Sequence, residues 1–282
     1  GGRKAWMDGA KVGGVGGAVD LSYEEFHLGD GGEGLMKIAD GSGSDAIGKK
    51  TVVISGQGAL TGKDGEAVLS QAMRFAGTTE SKFMVLHTAA ARVGAMDIGA
   101  VTEGGMAAAI DGAEVIYNLG ADEVEIDPGA FVIYQGHHGD AGAQRADVIL
   151  PGAAYTEKDA TWVNTEGRVQ LGRRAADPPG EAREDWTILR AFSAVVEQPL
   201  PYDTLAQLRR HMVEMVPSLG DVDAVAPGDM GAFGIAGEVD AAPFESPVTD
   251  YYLANAICRA SPVMAECSRL YLGGKEATGT DG

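Results

Sequence analysis

The chain has 282 residues, of which 45% are hydrophobic and 22% charged. That suits a globular protein with a sizeable core, in one large domain or two modest ones. The net charge of -19 argues against a nucleic-acid partner, since phosphate contacts need Lys and Arg clusters, and disfavours docking on an anionic membrane surface.

The densest basic group is only Arg173-Arg174, with Arg168 nearby. No stretch approaches the roughly 20 apolar residues of a spanning helix, so no direct membrane insertion is expected. Cys258 and Cys267 stand nine residues apart, which is neither a metal nor a redox spacing. Two lone thiols in an acidic chain fit a reducing compartment.

The chain opens on Gly1-Gly2, with no Met and no signal pattern, and residues 11–21 read as a strand already inside a fold. A fragment lacking its upstream part is expected. Residues 51–55 are β-branched and uninterrupted, as in a strand buried on both faces. Ala67, Val68, Ala72 and Phe75 then give a helical stripe over 64–75. A second strand covers 81–89, and a short helix includes 106–110. A third strand runs from 113 to Gly120, a fourth covers 130–136, and a fifth covers 146–152, stopped by Pro151. Only about ten residues separate the last two, near the lower limit for a helical crossover.

Beyond Gly152 the pattern changes. Residues 161–170 suggest a strand-turn-strand with Glu166-Gly167 at the bend, and 177–185 a rigid linker. Trp186, Leu189, Phe192 and Val196 mark one face of a helix over 185–197. In 202–216, Thr204 and Gln207 have capping-box spacing, and Leu205, Leu208, Met212 and Met215 line one side. Residues 221–243 read as a long loop. Two short helices follow within 247–272, the second capped by Ser261 with Pro262 in its first turn. The tail from 272 to 282 is expected to be disordered.

Strands alternating with helices define the expected fold class: α/β, with a Rossmann-like layered, mainly parallel sheet flanked by helices and a helical C-terminal region. The expected divisions are 1–48, completing an upstream α/β domain; 49–152, the Rossmann-like domain; 153–271, a return segment and C-terminal helices; and the tail.

Three stretches carry candidate chemistry. His137-His138-Gly139-Asp140 follows a buried strand at the edge where α/β sheets place ligands. Adjacent histidines in extended chain point to opposite sides, and a zinc site needs three or four ligands. His27, His87 and His211 lie in unrelated contexts, so a loop reading is favoured over a metal. Gly56, Gly58 and Gly62 lie between a strand and a helix, the place for a dinucleotide phosphate. The spacing is not GxGxxG, and Asp64 after Gly62-Lys63 breaks the P-loop pattern, which favours a plain tight turn. Glu157, Lys158, Asp159, Glu166 and Arg168 form an acid-base inventory that any solvated loop could also carry. The residues therefore nominate no catalytic, cofactor-binding or metal residue.

Residues 131–170, "FVIYQGHHGDAGAQRADVILPGAAYTEKDATWVNTEGRVQ", closely resemble the C-terminal half of the large iron-sulfur subunit of respiratory complex I, the 75 kDa subunit of mitochondria and its bacterial counterpart. "AVDLSYEEFHLGD", "AREDWTILRAFS", "LPYDTL" and "ICRASPVMAEC" extend the resemblance from residue 3 to about 271. The block 146–170 is also similar to the "ADVVLP...E..GT..N.EGRVQ" pattern of the molybdopterin oxidoreductase superfamily, with Ala160 where those relatives have Gly.

The resemblance implies a cluster-free structural domain of NADH:quinone oxidoreductase. The 2Fe-2S and 4Fe-4S clusters would sit in a missing N-terminal part, because two isolated cysteines cannot hold a cluster that needs about four thiolates. No molybdenum or pterin ligand is carried over, since the chain ends without room for the further domain that grips the pterin. Partners would be other peripheral-arm subunits. The location would be the cytoplasmic face of the bacterial inner membrane or the matrix side of the mitochondrial one. The alternative is an autonomous remnant molybdopterin- or nucleotide-binding oxidoreductase.

Overall fold

A computed structural model describes residues 2–41, 50–225 and 231–273. The expected disordered tail lies, from residue 274 on, outside the described residues. The chain groups into two compact units, 1–90 with 227–249, and 91–226 with 250–282.

The first unit opens on helix α1 (Gly2–Met7) and a parallel pair, β1 (Gly13–Gly14) and β2 (Phe26–His27). The strand expected over 11–21 is thus two residues long, because a glycine-rich run has few side chains with which to pack a ladder. Helix α2 (Gly32–Ala39) precedes β3 (Val52–Gly56), helix α3 (Gly65–Thr78) and β4 (Lys82–Leu86). β3 and β4 pair in parallel from Val52↔Lys82 to Gly56↔Leu86. α3 buries Ala67, Val68, Ala72, Phe75 and Ala76, the stripe legible in the sequence plus one further residue. Ile38, Ala39 and Phe75 form the core, with Val15, Leu28 and Val53 packed on it.

β3 does not fit the expectation of two buried faces. Val52 and Ile54 remain 56% and 53% exposed, while Val53 and Ser55 turn inward. Helices cover one face of this two-stranded ladder, so alternate residues meet solvent.

The 231–243 loop is anchored rather than loose. The Ile235 N–H donates to Glu66 O at 3.2 Å, and the Asp240 N–H donates to Asp64 Oδ2 at 2.8 Å. Gly234 has φ +75, and a Cβ there would stand 2.4 Å from Glu66 O, so only glycine fits this crossing over α3.

In the second unit, helices α4 (Arg92–Asp97) and α5 (Gly105–Ile110) precede a three-stranded parallel sheet. Its strands are β5 (Val115–Leu119), β6 (Phe131–Gly136) and β7 (Val148–Pro151), with β6 in the middle. α4 had no sequence signal. The crossover from β6 to β7 uses helix α6 (Ala141–Arg145), only five residues long. The central strand buries Val132, Tyr134 and Gln135, as a strand flanked on both edges should.

β8 (Ala160–Val163) and β9 (Val169–Gly172) form the antiparallel excursion, with Gly167 at φ +85 in the bend. Helices α7 (Asp185–Val195), α8 (Leu205–Met215), α9 (Ala256–Arg259) and α10 (Pro262–Leu272) complete the helical C-terminal region. Val163, Val169 and Leu219 form the core here, supported by Val93, Met212 and Val216. Two expected stripes are shorter than their sequence pattern. α7 ends before Val196, which is exposed, and Met215 at the end of α8 is exposed as well. A helix end splays its last side chains away from the face that holds its middle.

Candidate functional site

The carboxyl edge of the β5-β6-β7 sheet gathers the polar groups that chemistry would need. Tyr134 and Gln135, consecutive near the end of β6, point to opposite sides of the sheet and are both buried. Each polar tip must then find a partner or cost about 1–3 kcal/mol.

On one side, the Tyr134 hydroxyl donates to Asp122 Oδ1 at 3.0 Å, and Gly142 N–H donates to the same oxygen at 3.3 Å. Burial, then the Asp122 charge and hydrogen bond, push the Tyr134 phenol well above its ordinary value, so it stays a donor. On the other side, Gln135 Oε1 accepts from the Tyr117 hydroxyl at 2.5 Å, and Gln135 Nε2 donates to Asp185 Oδ1 at 2.9 Å. Lys158 donates to the second oxygen of Asp185. Burial and the Asp185 charge raise the Tyr117 phenol too. Its ring meets Phe192 edge-on at 5.3 Å.

Beyond the end of β6 the chain bends at His137 and His138. This corrects the expectation that the two rings point apart, which holds only for extended chain. They meet at 89°, with 2.6 Å between their Nδ1 atoms. Partial burial, then the neighbouring His138 and Lys158, lower the His137 imidazole below its ordinary value, while Asp122 and Asp185 oppose the shift.

Asp140 serves a different contact. Its carboxylate accepts from Arg259 Nε at 2.5 Å. Arg259 also donates to Glu123 Oε1 at 2.6 Å and to Leu253 O at 3.3 Å. This guanidinium fastens α9 to the loop after β5 and to the turn after β6.

The other candidates separate. His27 contacts Asp30, and His211 lies 3.7 Å from Glu214. Glu157 accepts from Ala154 N–H, Asp159 from Arg174 N–H, and Glu166 pairs with Arg168 across the hairpin bend. Of the acid-base inventory, only Lys158 reaches the sheet edge.

The glycine turn after β3 is filled by the chain itself. Gln57–Leu60 form a single 3₁₀ turn, and Gln57 Oε1 accepts from both the N–H and the hydroxyl of Thr88. A Cβ on Gly58 would stand 2.4 Å from Pro247 Cδ and 3.0 Å from Glu245 O. A closely packed proline stands against this turn, where an open phosphate cradle would be needed. At the sheet edge the Tyr117 and Tyr134 hydroxyls and Gln135 Nε2 likewise donate to acceptors of this chain. Among the described residues, no group of three or more His, Cys, Asp or Glu side chains could hold a metal ion. No described helix is long and apolar enough to cross a membrane.

Tyr134, Gln135, Asp122 and Asp185 were not singled out from sequence. A Tyr-Gln pair inside an apolar strand was their available signal, since a polar residue in a central strand needs a partner.

Parallel ladders accompanied by helices, with polar residues collected at the carboxyl edge of β5-β6-β7, define an α/β protein. The model of the molybdopterin oxidoreductase family matches residues 2–195, and the chain belongs to that family. A second family model, for the C-terminal part of an NADH-ubiquinone oxidoreductase subunit, matches residues 224–267.

Among curated proteins, the chain is 38% identical over 94% of its length to the NADH-ubiquinone oxidoreductase 78 kDa subunit, mitochondrial, of Candida albicans, and covers 40% of it. It is 39% identical over 93% of its length to the NADH dehydrogenase [ubiquinone] iron-sulfur protein 1, mitochondrial, of Solanum tuberosum, covering 37%. It is 37% identical over 95% of its length to the NADH-ubiquinone oxidoreductase 75 kDa subunit of Reclinomonas americana, covering 42%. The chain thus spans about two fifths of the length of these relatives.

Proposed function

We propose that the chain is the C-terminal structural domain of the iron-sulfur subunit of an NADH:quinone oxidoreductase. It supports electron transfer that runs through clusters outside these residues. The observation that carries this reading is similarity along nearly the whole chain to subunits of one enzyme. The sheet edge supports it as well, because Tyr134, Gln135 and Asp185 there are engaged with side chains of the same chain.

On this reading, 2Fe-2S and 4Fe-4S clusters belong to the rest of the subunit, and the partners are other subunits of the peripheral arm. The arm faces the bacterial cytoplasm or the mitochondrial matrix. The bounds 1–48, 49–152, 153–271 and 272–282 are part of the same proposal.

The test uses the purified chain. It should oxidise no NADH and take up no stoichiometric iron on anaerobic reconstitution. Stoichiometric iron with a charge-transfer band would overturn the proposal. A pterin or nucleotide at near one-to-one occupancy in native mass spectrometry would point instead to an autonomous oxidoreductase.

A further inference from the structure

We propose that His137 and His138 form an acid-sensitive latch on the turn between β6 and α6, closed while the two rings share one proton and open when each carries its own. The 2.6 Å between the two Nδ1 atoms sets the rule. At that separation one nitrogen must donate and the other accept. The contact therefore allows two states: a neutral pair of opposite tautomers, or a singly charged pair. A second proton would place two N–H groups head to head and force the rings apart.

The surroundings decide how hard the second proton is to add. The charges that act on His137 come from four elements: His138 beside it, Lys158 before β8, Asp122 after β5 and Asp185 at the start of α7. The first two repel the proton and the last two attract it. Desolvation of the ring adds to the repulsion, and the net effect lowers His137. Doubly charging the pair is therefore reserved for acid below the ordinary histidine range.

The rings stand on a turn with two further ties. The Tyr134 hydroxyl lies 3.5 Å from His138 O, and Asp140, two residues on, holds Arg259. When the rings part, the turn moves between these ties, so the anchorage of α9 loosens with it. The sign follows from linkage. A histidine whose folded value is depressed contributes stability that is full above about 6.5 and is lost as pH falls through the folded value.

The full chain, with ¹⁵N-labelled histidine, provides the test by long-range ¹H–¹⁵N spectra and amide hydrogen exchange. At about pH 7.5 the spectra should show one protonated and one unprotonated Nδ1 across the pair, as a hydrogen bond between them requires. Exchange at residues 138–141, corrected for its intrinsic pH dependence, should rise about tenfold between about pH 7.5 and about pH 5. In His137→Gln and in His138→Gln that rise should vanish. The same Nδ1 state on both rings, with unchanged exchange in the wild-type chain, would overturn the latch, whatever the variants do. So would an undiminished rise in a folded His137→Gln chain.

Discussion

Arg259 holds the buried carboxylate of Asp140. Asp140 is 3% exposed, so its carboxylate has lost most of its water and depends on the guanidinium beside it. Removing one partner of such a pair costs about 3–5 kcal/mol, because the other charge stays buried. Glu123, the second partner, has a side chain that is 65% exposed, and an exposed ion pair is worth about 1 kcal/mol or less. Arg259→Ala should therefore lower the free energy of unfolding by about 3 kcal/mol, and Glu123→Ala by under about 1 kcal/mol. Arg259→Lys should restore only part of the loss, since a single ammonium cannot reproduce the three-way grip on Asp140, Glu123 and Leu253 O. Urea unfolding of the three variants measures this order, and equal losses for Arg259→Ala and Glu123→Ala would refute it.

Local rules were legible at the scale of elements and non-local ones were not. Thr204 and Gln207 could be read as a capping box because the motif closes within four residues, and both of its hydrogen bonds are present at the start of α8. Ser261 and Pro262 start α10 for the same reason. The exposure of β3 was not legible, because an apolar strand looks alike whether one or two faces are covered. The meeting of His137 and His138 was hidden for a related reason: a bend reverses the side-chain alternation on which the sequence argument rested. Glycine was half legible. Gly58 was weighed for phosphate binding and read as a plain tight turn, and its neighbours add that it makes room for Pro247. Gly58→Ala should therefore displace the 245–247 segment and raise its cleavage by protease several-fold, with no change in affinity for nucleotides. Loss of a measurable nucleotide affinity in that variant, with cleavage unchanged, would return the turn to its phosphate reading.

The whole molecule carries a formal charge of -19 against only 22 Lys and Arg residues. Two opposing effects follow when salt is added. Exposed pairs such as Arg168–Glu166 and Arg269–Glu266 are screened, each losing at most about 1 kcal/mol. The diffuse repulsion among the excess acids is screened too, and it acts over the whole surface rather than at a few pairs. At 0.1 M salt the screening length is about 10 Å, so most acid-to-acid repulsion fades while contacts under 4 Å persist in part. The repulsion term should win, and the thermal midpoint of the isolated chain should rise by about 4 °C or more between about 0.05 M and about 0.5 M potassium chloride. The measurement belongs at about pH 8, where the histidine latch is closed and contributes no salt-dependent opening of its own. A flat or falling midpoint would mean that the acids are already balanced within the fold. A rising one would show that the surplus acids repel one another across the folded surface.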